Sequence, residues 1–472
     1  MGPWRFWVRI CFYSVLALKS PLSWGHFEDC QGFLDRLFHS HTEAPRFDVR
    51  LAELADRPLS QTPAPYFFDW QRPVIPLSVE NGDEDLGIIR INFDLTHFEI
   101  SSTYVDELSL LFRDRPDLEL WVSGELPGWS SGLGSFAPEQ SQLAFPVNTR
   151  VFGKAQNLWA RDGSKPLSLL KNGKSAVVLP RSMNPDRDLK TYQQPLFELQ
   201  RAGEIEIRKS QFQWEGGDIV VGAKHIFVGY EVLKSAQIDF GFSIAEALEA
   251  LKHEFGKSVI PVGALDRSTG FIDYVEYHVD LFLTVIRDRI SGREKILLGS
   301  MSKAIDLMDP RLSNIHLGRT RKFENTEKFL NELFKPEDPA KPWQPNFLEI
   351  QNTEIKLNAL AAYFESLGYE VERVPFFSFG EEPPESYTGP TFFSYNNIVL
   401  GQGVALIPDL GILAWDIYMK QLLTRMGYKV YSFKTAQLSS VLDAGILCMT
   451  EVLRKPANCA SRKSAGSFFQ TF

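Results

Sequence analysis

The sequence predicts an α/β fold in which one supersecondary unit is used five times, with repetition around an axis as the arrangement that such a period suggests. Three observations carry this. A helix with apolar residues at helical spacing recurs five times, each helix stops near a glycine or proline, and a short β-rich strand follows at once. An ordinary α/β domain contains the same helix–glycine–strand step, so the pattern by itself leaves both arrangements open.

The units run as follows. Helix 104–113 breaks before Pro116 and leads to strand 118–122. Helix 192–201 with Gly203 leads to 205–207, and helix 244–255 with Gly256 leads to 259–262. Helix 355–367 with Gly368 leads to 369–371, and helix 417–426 with Gly427 leads to 428–431. Glycine there is the usual left-handed helix stop, which tightens the turn into the strand. Gly203 and Gly256 are 53 residues apart, and Gly368 and Gly427 are 59 apart. The longer interval between the third and fourth units holds a charged insertion, 289–345, with a helix of its own near 326–333.

Ahead of the units, residues 88–95 alternate like a strand. Residues 26–85 carry Pro58, Pro63, Pro65, Pro73 and Pro76 and read as an irregular extension packed onto the main body. At the N-terminus, Arg5 and Arg9 precede an apolar run to Leu18, with small residues at Ser23 and Gly25. Residues 1–25 therefore resemble a secretory signal peptide, which predicts export; a cytoplasmic location is the alternative. The apolar run is far shorter than the roughly 20 residues of a membrane span. The expected organisation is leader 1–25, extension 26–85, main α/β domain 86–460 and tail 461–472.

Composition narrows the class. Of 472 residues, 44% are hydrophobic and 23% charged, as in globular proteins. The net charge of −9 is interspersed, without a polybasic block, which argues against a nucleic-acid partner and suits a cationic substrate. The four cysteines, Cys11, Cys30, Cys448 and Cys459, have no zinc-like spacing and are too few for a disulfide scaffold.

Each unit is followed by a polar motif. In order these are Trp159-Ala160-Arg161-Asp162-Gly163, Glu215-Gly216-Gly217-Asp218, His278-Val279-Asp280, Asn396-Asn397, and Gly445-Ile446-Leu447-Cys448-Met449-Thr450. Singly they read as a surface ion pair, a hairpin turn, a structural pair, turn formers and a core cysteine. One per unit, they supply the parts of guanidinium chemistry. Carboxylates hold the planar cation bidentately, a histidine beside a carboxylate moves protons, and a thiol attacks the central carbon. His278 and Asp280, at i and i+2, would face one side of a strand.

These motifs resemble the guanidino-group-modifying, or pentein, superfamily. The likeness to the catalytic domain of protein-arginine deiminases rests on 120–125, 278–283, 397–401 with Ile407-Pro408, and Cys448-Met449-Thr450 with Arg454-Lys455-Pro456. Glu215-Gly216-Gly217-Asp218 is more similar to free-arginine and agmatine deiminases. The resemblance implies a five-bladed pseudo-symmetric α/β propeller. It also implies that Asp162 and Asp280 bind the guanidinium, that Cys448 attacks it, and that His278 protonates ammonia and then activates the water that hydrolyses the thiouronium. Trp159 would pack on the substrate stem, and Glu215, Arg161 and Asn397 would complete the substrate site. Calcium is used by animal protein-arginine deiminases, but Gly163-Ser164-Lys165 stands where their acidic ligands follow the first aspartate. Leu447 and Leu442 replace polar residues that serve peptide substrates. The expected substrate is an arginine-containing protein or peptide. The alternatives are a small guanidine (free arginine or agmatine) for a deiminase or amidinotransferase, and a non-catalytic binding protein of this fold. A homodimer is an assembly the sequence leaves open.

Overall fold

Where the sequence places a glycine between helix and strand, the backbone turns left-handed: φ is 78° at Gly203, 69° at Gly256, 86° at Gly368 and 87° at Gly427. A side chain with a Cβ is strained there, so the sequence fixes the turn. The computed structural model describes residues 66–124, 134–135, 145–146, 148–152, 159–168, 175–181, 193–265, 272–273, 278–307, 347–378, 392–436 and 445–455. The expected leader, the insertion helix near 326–333, the tail and the other three cysteines lie outside them.

Parallel pairing through a helix recurs from sheet to sheet. In the first, β1 (Asp85–Phe93) runs through α1 (Phe98–Asp114) to the parallel β2 (Glu119–Gly124), with β3 (Gly134–Ser135) and β4 (Thr149–Phe152) beyond. In the second, β5 (Lys165–Pro166) pairs antiparallel with β6 (Ser175–Leu179), and α2 (Gln194–Arg201) leads to β7 (Ile205–Lys209), parallel to β6. In the third, β8 (Ile219–Val221) and β9 (His225–Gly229) are antiparallel. Helices α3 (Tyr230–Phe240) and α4 (Ile244–Phe255) then lead to β10 (Ser258–Val262), parallel to β9. A separate pair, β11 (Ala264–Leu265) and β12 (Ile272–Asp273), follows. In the fourth, β13 (Leu283–Arg287) and β14 (Glu294–Ser300) are antiparallel. After α5 (Met301–Leu307) and α6 (Phe347–Ser366), β15 (Glu370–Ser378) lies parallel to β14 and is flanked by β16 (Phe392–Ser394). In the fifth, β17 (Val399–Gly401) and β18 (Val404–Pro408) are antiparallel, and α7 (Leu413–Arg425) leads to β19 (Lys429–Phe433), parallel to β18. Finally β20 (Thr450–Lys455) returns antiparallel to β1. The first sheet thus obtains from the chain's far end the antiparallel strand that the other four obtain from a hairpin.

The α/β class is as expected, and α4 has the predicted bounds. It is framed by Ser243, whose hydroxyl accepts from Glu246 N at 3.3 Å while Glu246 accepts from Ser243 N at 2.8 Å. Three other helices start earlier than apolar spacing suggests, at Phe98, Phe347 and Leu413. Their first turns are not carried by an apolar stripe alone: α1 opens Phe98-Glu99-Ile100-Ser101, with Ser101 buried.

Residues 66–84 are woven into this body, which belongs to one compact unit within 47–472. Backbone hydrogen bonds join Ser78 to Pro166, Glu80 to Val221 and Asn81 to Arg287, so the segment crosses the second, third and fourth sheets in turn. Ile75 and Leu77 are buried with Phe212, Trp214 and Phe255 in a core of their own. No helix among the described residues is long and apolar enough to cross a membrane.

Candidate active site

Five sheets present their polar motifs at equivalent places. Cys448, Asp162, Glu215, Asp280 and Asn397 each stand two to four residues ahead of the leading strand of a sheet, β20, β5, β8, β13 and β17 respectively. Repetition of the unit therefore carries residues far apart in sequence to one location.

His278 and Asp280 reach it by a turn rather than a strand. His278 is extended, but Val279–Leu281 form a 3-10 turn before β13, which corrects the same-face strand expected from their spacing. The turn buries both, at 4% and 1% exposure. Gly217 explains the close approach of the second motif: a Cβ there would lie 2.4 Å from His278 Cγ. With that space free, Glu215 Oε2 lies 2.9 Å from His278 Nε2. Asp218, quoted within its motif but given no role by the sequence, caps the same turn by accepting from Glu215 N at 2.7 Å.

Asn397 fastens the nucleophile strand. Its Oδ1 accepts from Leu447 N at 2.7 Å and Cys448 N at 3.2 Å, while Nδ2 lies 3.3 Å from Cys448 Sγ and 3.4 Å from Asp280 Oδ1. Gly445 permits this, because a Cβ there would sit 2.1 Å from Asn397 Oδ1. Placed by sequence in the substrate site, Asn397 makes these contacts with the protein itself. Arg161 likewise turns inward: Nη1 is 3.0 Å from Glu80 Oε1, and Nε is 3.1 Å from Asp280 Oδ2 without hydrogen-bond alignment. Trp159 is half-buried and packs against the main core.

Charge follows from burial. Burial and the neighbouring Asp280 raise the Cys448 thiol, against the pull of His278. Burial opposes the His278 imidazolium, yet Cys448, Glu215, Asp162 and Asp218 outweigh it and hold the group well above the usual histidine range. Burial first, then Glu215 and Asp280, push Asp162 up to about 7 against His278 and Arg161. Burial pushes Asp218 up to about 6. The resting pair is thus a thiol beside an imidazolium, in a ring of carboxylates suited to a second cation.

Unsatisfied atoms mark where that cation fits. Asp162 Oδ1, Asp280 Oδ2 and Arg161 Nη2 are buried without a hydrogen-bond partner in the protein. Buried polar atoms are nearly always paired, so acceptors left over on two carboxylates beside a cysteine indicate a ligand with several N–H donors. Among the described residues, the ligand atoms of His278, Asp280 and Cys448 lie within 4.8 Å of one another. Asp280 is already engaged by Arg161 and Asn397, so we read the trio as reacting groups. Calcium does not fit after Asp162: the Ser164 hydroxyl donates to Glu451, and Lys165 puts a buried ammonium there, 2.9 Å from Glu80 Oε1.

Known structures share this architecture. Agmatine deiminase of C. jejuni superposes with a TM-score of 0.53 at 13% identity, over 83% of this chain and 98% of that one. A substrate-bound variant of that enzyme matches with the same values. The fold is that of the pentein superfamily. Agmatine deiminase of Enterococcus faecalis aligns over 80% of this chain and 96% of its own, at 14% identity and a TM-score of 0.48. No family model matches the sequence. No curated protein matches it in sequence. The pentein likeness is therefore one of fold, and the chemistry rests on the site.

Lys165, Arg90 and Glu451 are buried around the site with Glu80 nearly so, and no local sequence signal marks them. In the sequence Lys165 stands out only as a departure from a calcium motif. Glu80 ends a proline-rich segment and precedes an acidic run, so nothing local distinguishes it.

Proposed function

We propose that the protein is a cysteine hydrolase of small guanidines, converting a guanidinium to a ureido group and ammonia. The observation that carries this is the pair of buried carboxylate oxygens on Asp162 and Asp280 that accept no hydrogen bond from the protein, set beside Cys448 and the Glu215–His278 pair. The small guanidine takes precedence over protein arginine for two reasons. Solved structures that share the fold are agmatine deiminases, and Glu215 meets His278 as in the motif of small-molecule deiminases. Five sheets that share a three-strand core, one antiparallel and one parallel pairing, each presenting a residue ahead of its leading strand, support the reading of five blades around this site.

The proposed steps use groups already in reach. The guanidinium donates to Asp162 and Asp280, which fixes its carbon against the thiol. Its charge offsets the carboxylates that raise the Cys448 thiol, so binding favours the thiolate, and the thiol proton is released to solvent. Sulfur adds to the guanidinium carbon, His278 gives its proton to the departing nitrogen, and ammonia leaves a thiouronium on Cys448. Neutral His278, oriented by Glu215, then takes one proton from water, whose oxygen adds to the same carbon; as the C–S bond breaks the remaining hydroxyl proton passes to sulfur, which restores the thiol and leaves the ureido carbonyl.

The test is turnover. Agmatine, free arginine and a peptidyl arginine are supplied in parallel, with calcium or chelator, and ammonia and ureido product are measured. The proposal expects one small guanidine to be hydrolysed without calcium and the Cys448→Ala protein to be inactive. Failure of every guanidine under both conditions overturns it, and turnover of the peptide alone replaces small guanidines with protein arginine.

A further inference from the structure

A line of alternating charges, Lys165, Glu80 and Arg161, leads to Asp280, and the proposed reaction uses only its last member. Lys165 Nζ donates to Glu80 at 2.9 and 3.2 Å. Glu80 Oε1 meets Arg161 Nη1 at 3.0 Å, and Arg161 Nε stands 3.1 Å from Asp280 Oδ2. The side chains are nearly inaccessible, with Glu80 the most exposed at 11%. Glu80 is itself fixed, since its Oε2 accepts from Val221 N at 3.1 Å and its own N–H donates to Val221 O at 2.8 Å. Arg161 is fixed too, its backbone N–H donating to Cys448 O at 3.2 Å.

Two carboxylates therefore compete for one guanidinium. Nη1 is taken by Glu80, and this leaves Nε near Asp280 but off the hydrogen-bond axis, so Asp280 Oδ2 keeps its acceptor capacity. A buried arginine with a single carboxylate would close on it bidentately. We propose that Glu80 is a positioning residue which, with Lys165 as counter-charge, holds Arg161 back from Asp280 and keeps that carboxylate available to a cationic substrate. The inference rests on the reading of the site as one that binds a guanidinium. It gives the segment ahead of the first strand a part in that site.

The charges have a direction that can be read at Cys448. His278, Asp280, Asp162 and Arg161 all act on the thiol or are acted on by it. Glu80→Gln removes an anion from the line, leaves Arg161 and Lys165 under-compensated, and favours the thiolate. Lys165→Met removes a cation and disfavours it. The test measures the rate of Cys448 alkylation by iodoacetamide against pH in the full-length protein, in parallel with guanidine kinetics. Alkylation of the other cysteines is resolved by peptide mass spectrometry.

The expected result is a profile displaced to lower pH in Glu80→Gln and to higher pH in Lys165→Met, with Glu80→Asp close to wild type. In Glu80→Gln, KM for the guanidine rises about tenfold as Arg161 closes on Asp280, the change that corresponds to about 1.4 kcal/mol. Simple loss of packing lowers the melting temperature of both variants and moves their profiles together or not at all, and either outcome overturns the proposal. Should Glu80→Gln not fold, the Lys165→Met profile decides alone. Opposed profiles with no guanidine turned over keep the positioning role and remove the reaction; unmoved profiles with turnover do the reverse.

Discussion

At Gly217, a single methyl group tests how the histidine is held. Alanine there puts Cβ 2.4 Å from the His278 ring, with no flexible chain end to yield. Gly217→Ala should cost about 1–3 kcal/mol in stability and about a hundredfold in kcat; unchanged steady-state kinetics would show that His278 is not the proton carrier. Asp162 makes a second test. Its folded carboxyl titrates near 7 instead of 3.8, so the fold holds that proton tightly. The stabilisation is complete below about pH 4 and is lost as pH climbs through 7, so the wild-type melting temperature should fall across that window. Asp162→Asn removes this part of the slope, and losing the proposed guanidinium acceptor should lower kcat/KM by about a hundredfold or more. Melting curves from pH 4 to 8 check the first claim, and a slope equal to wild type contradicts it. Residues with chemistry in their motif were legible in sequence, because cysteine, histidine and carboxylates follow successive units. Glu80 was not, since a glutamate becomes a counter-ion only through partners 81 and 85 positions away, Arg161 and Lys165.

Strand β20 is the element that completes the site, because Cys448 stands just ahead of it. Its hold on β1 includes a buried ion pair at directly opposed positions, Arg90 Nε to Glu451 Oε2 at 2.6 Å. Arg90 also donates to Ala160 O, and Glu451 accepts from Ser164, so the pair ties β1 and β20 to the turn that bears Asp162. Glu451→Ala leaves Arg90 buried without its anion and should destabilise by about 3–5 kcal/mol, as read from denaturant unfolding; a loss below about 1 kcal/mol would mean the closure lies elsewhere. The helix stops were legible because glycine at a left-handed turn is a local signal. The pairing of β20 with β1 was not, since it joins residues from opposite ends of the described chain and no local pattern encodes it. The turn at Val279–Leu281 was hidden for a related reason: the valine, leucine and phenylalanine around Asp280 favour a strand locally, and packing makes it a 3-10 turn.

At the scale of the whole molecule, five of the sheets among the described residues contribute one motif each, and their repetition replaces the long-range signals that a sequence lacks. The recurring units made the α/β class legible, and the order of the motifs pointed to the residues that the fold brings together around Cys448. The substrate was less so, because it depends on which carboxylate oxygens stay unpaired once the protein has satisfied the rest. The central claim is that Cys448 forms a covalent bond to a guanidinium carbon. Acid-quenched intact-mass analysis during turnover of agmatine or free arginine tests it most directly. The account predicts an adduct of substrate less ammonia, localised by peptide mapping to Cys448 and absent from Cys448→Ala, which is inactive. Turnover that persists in Cys448→Ala with no adduct in either protein would contradict it.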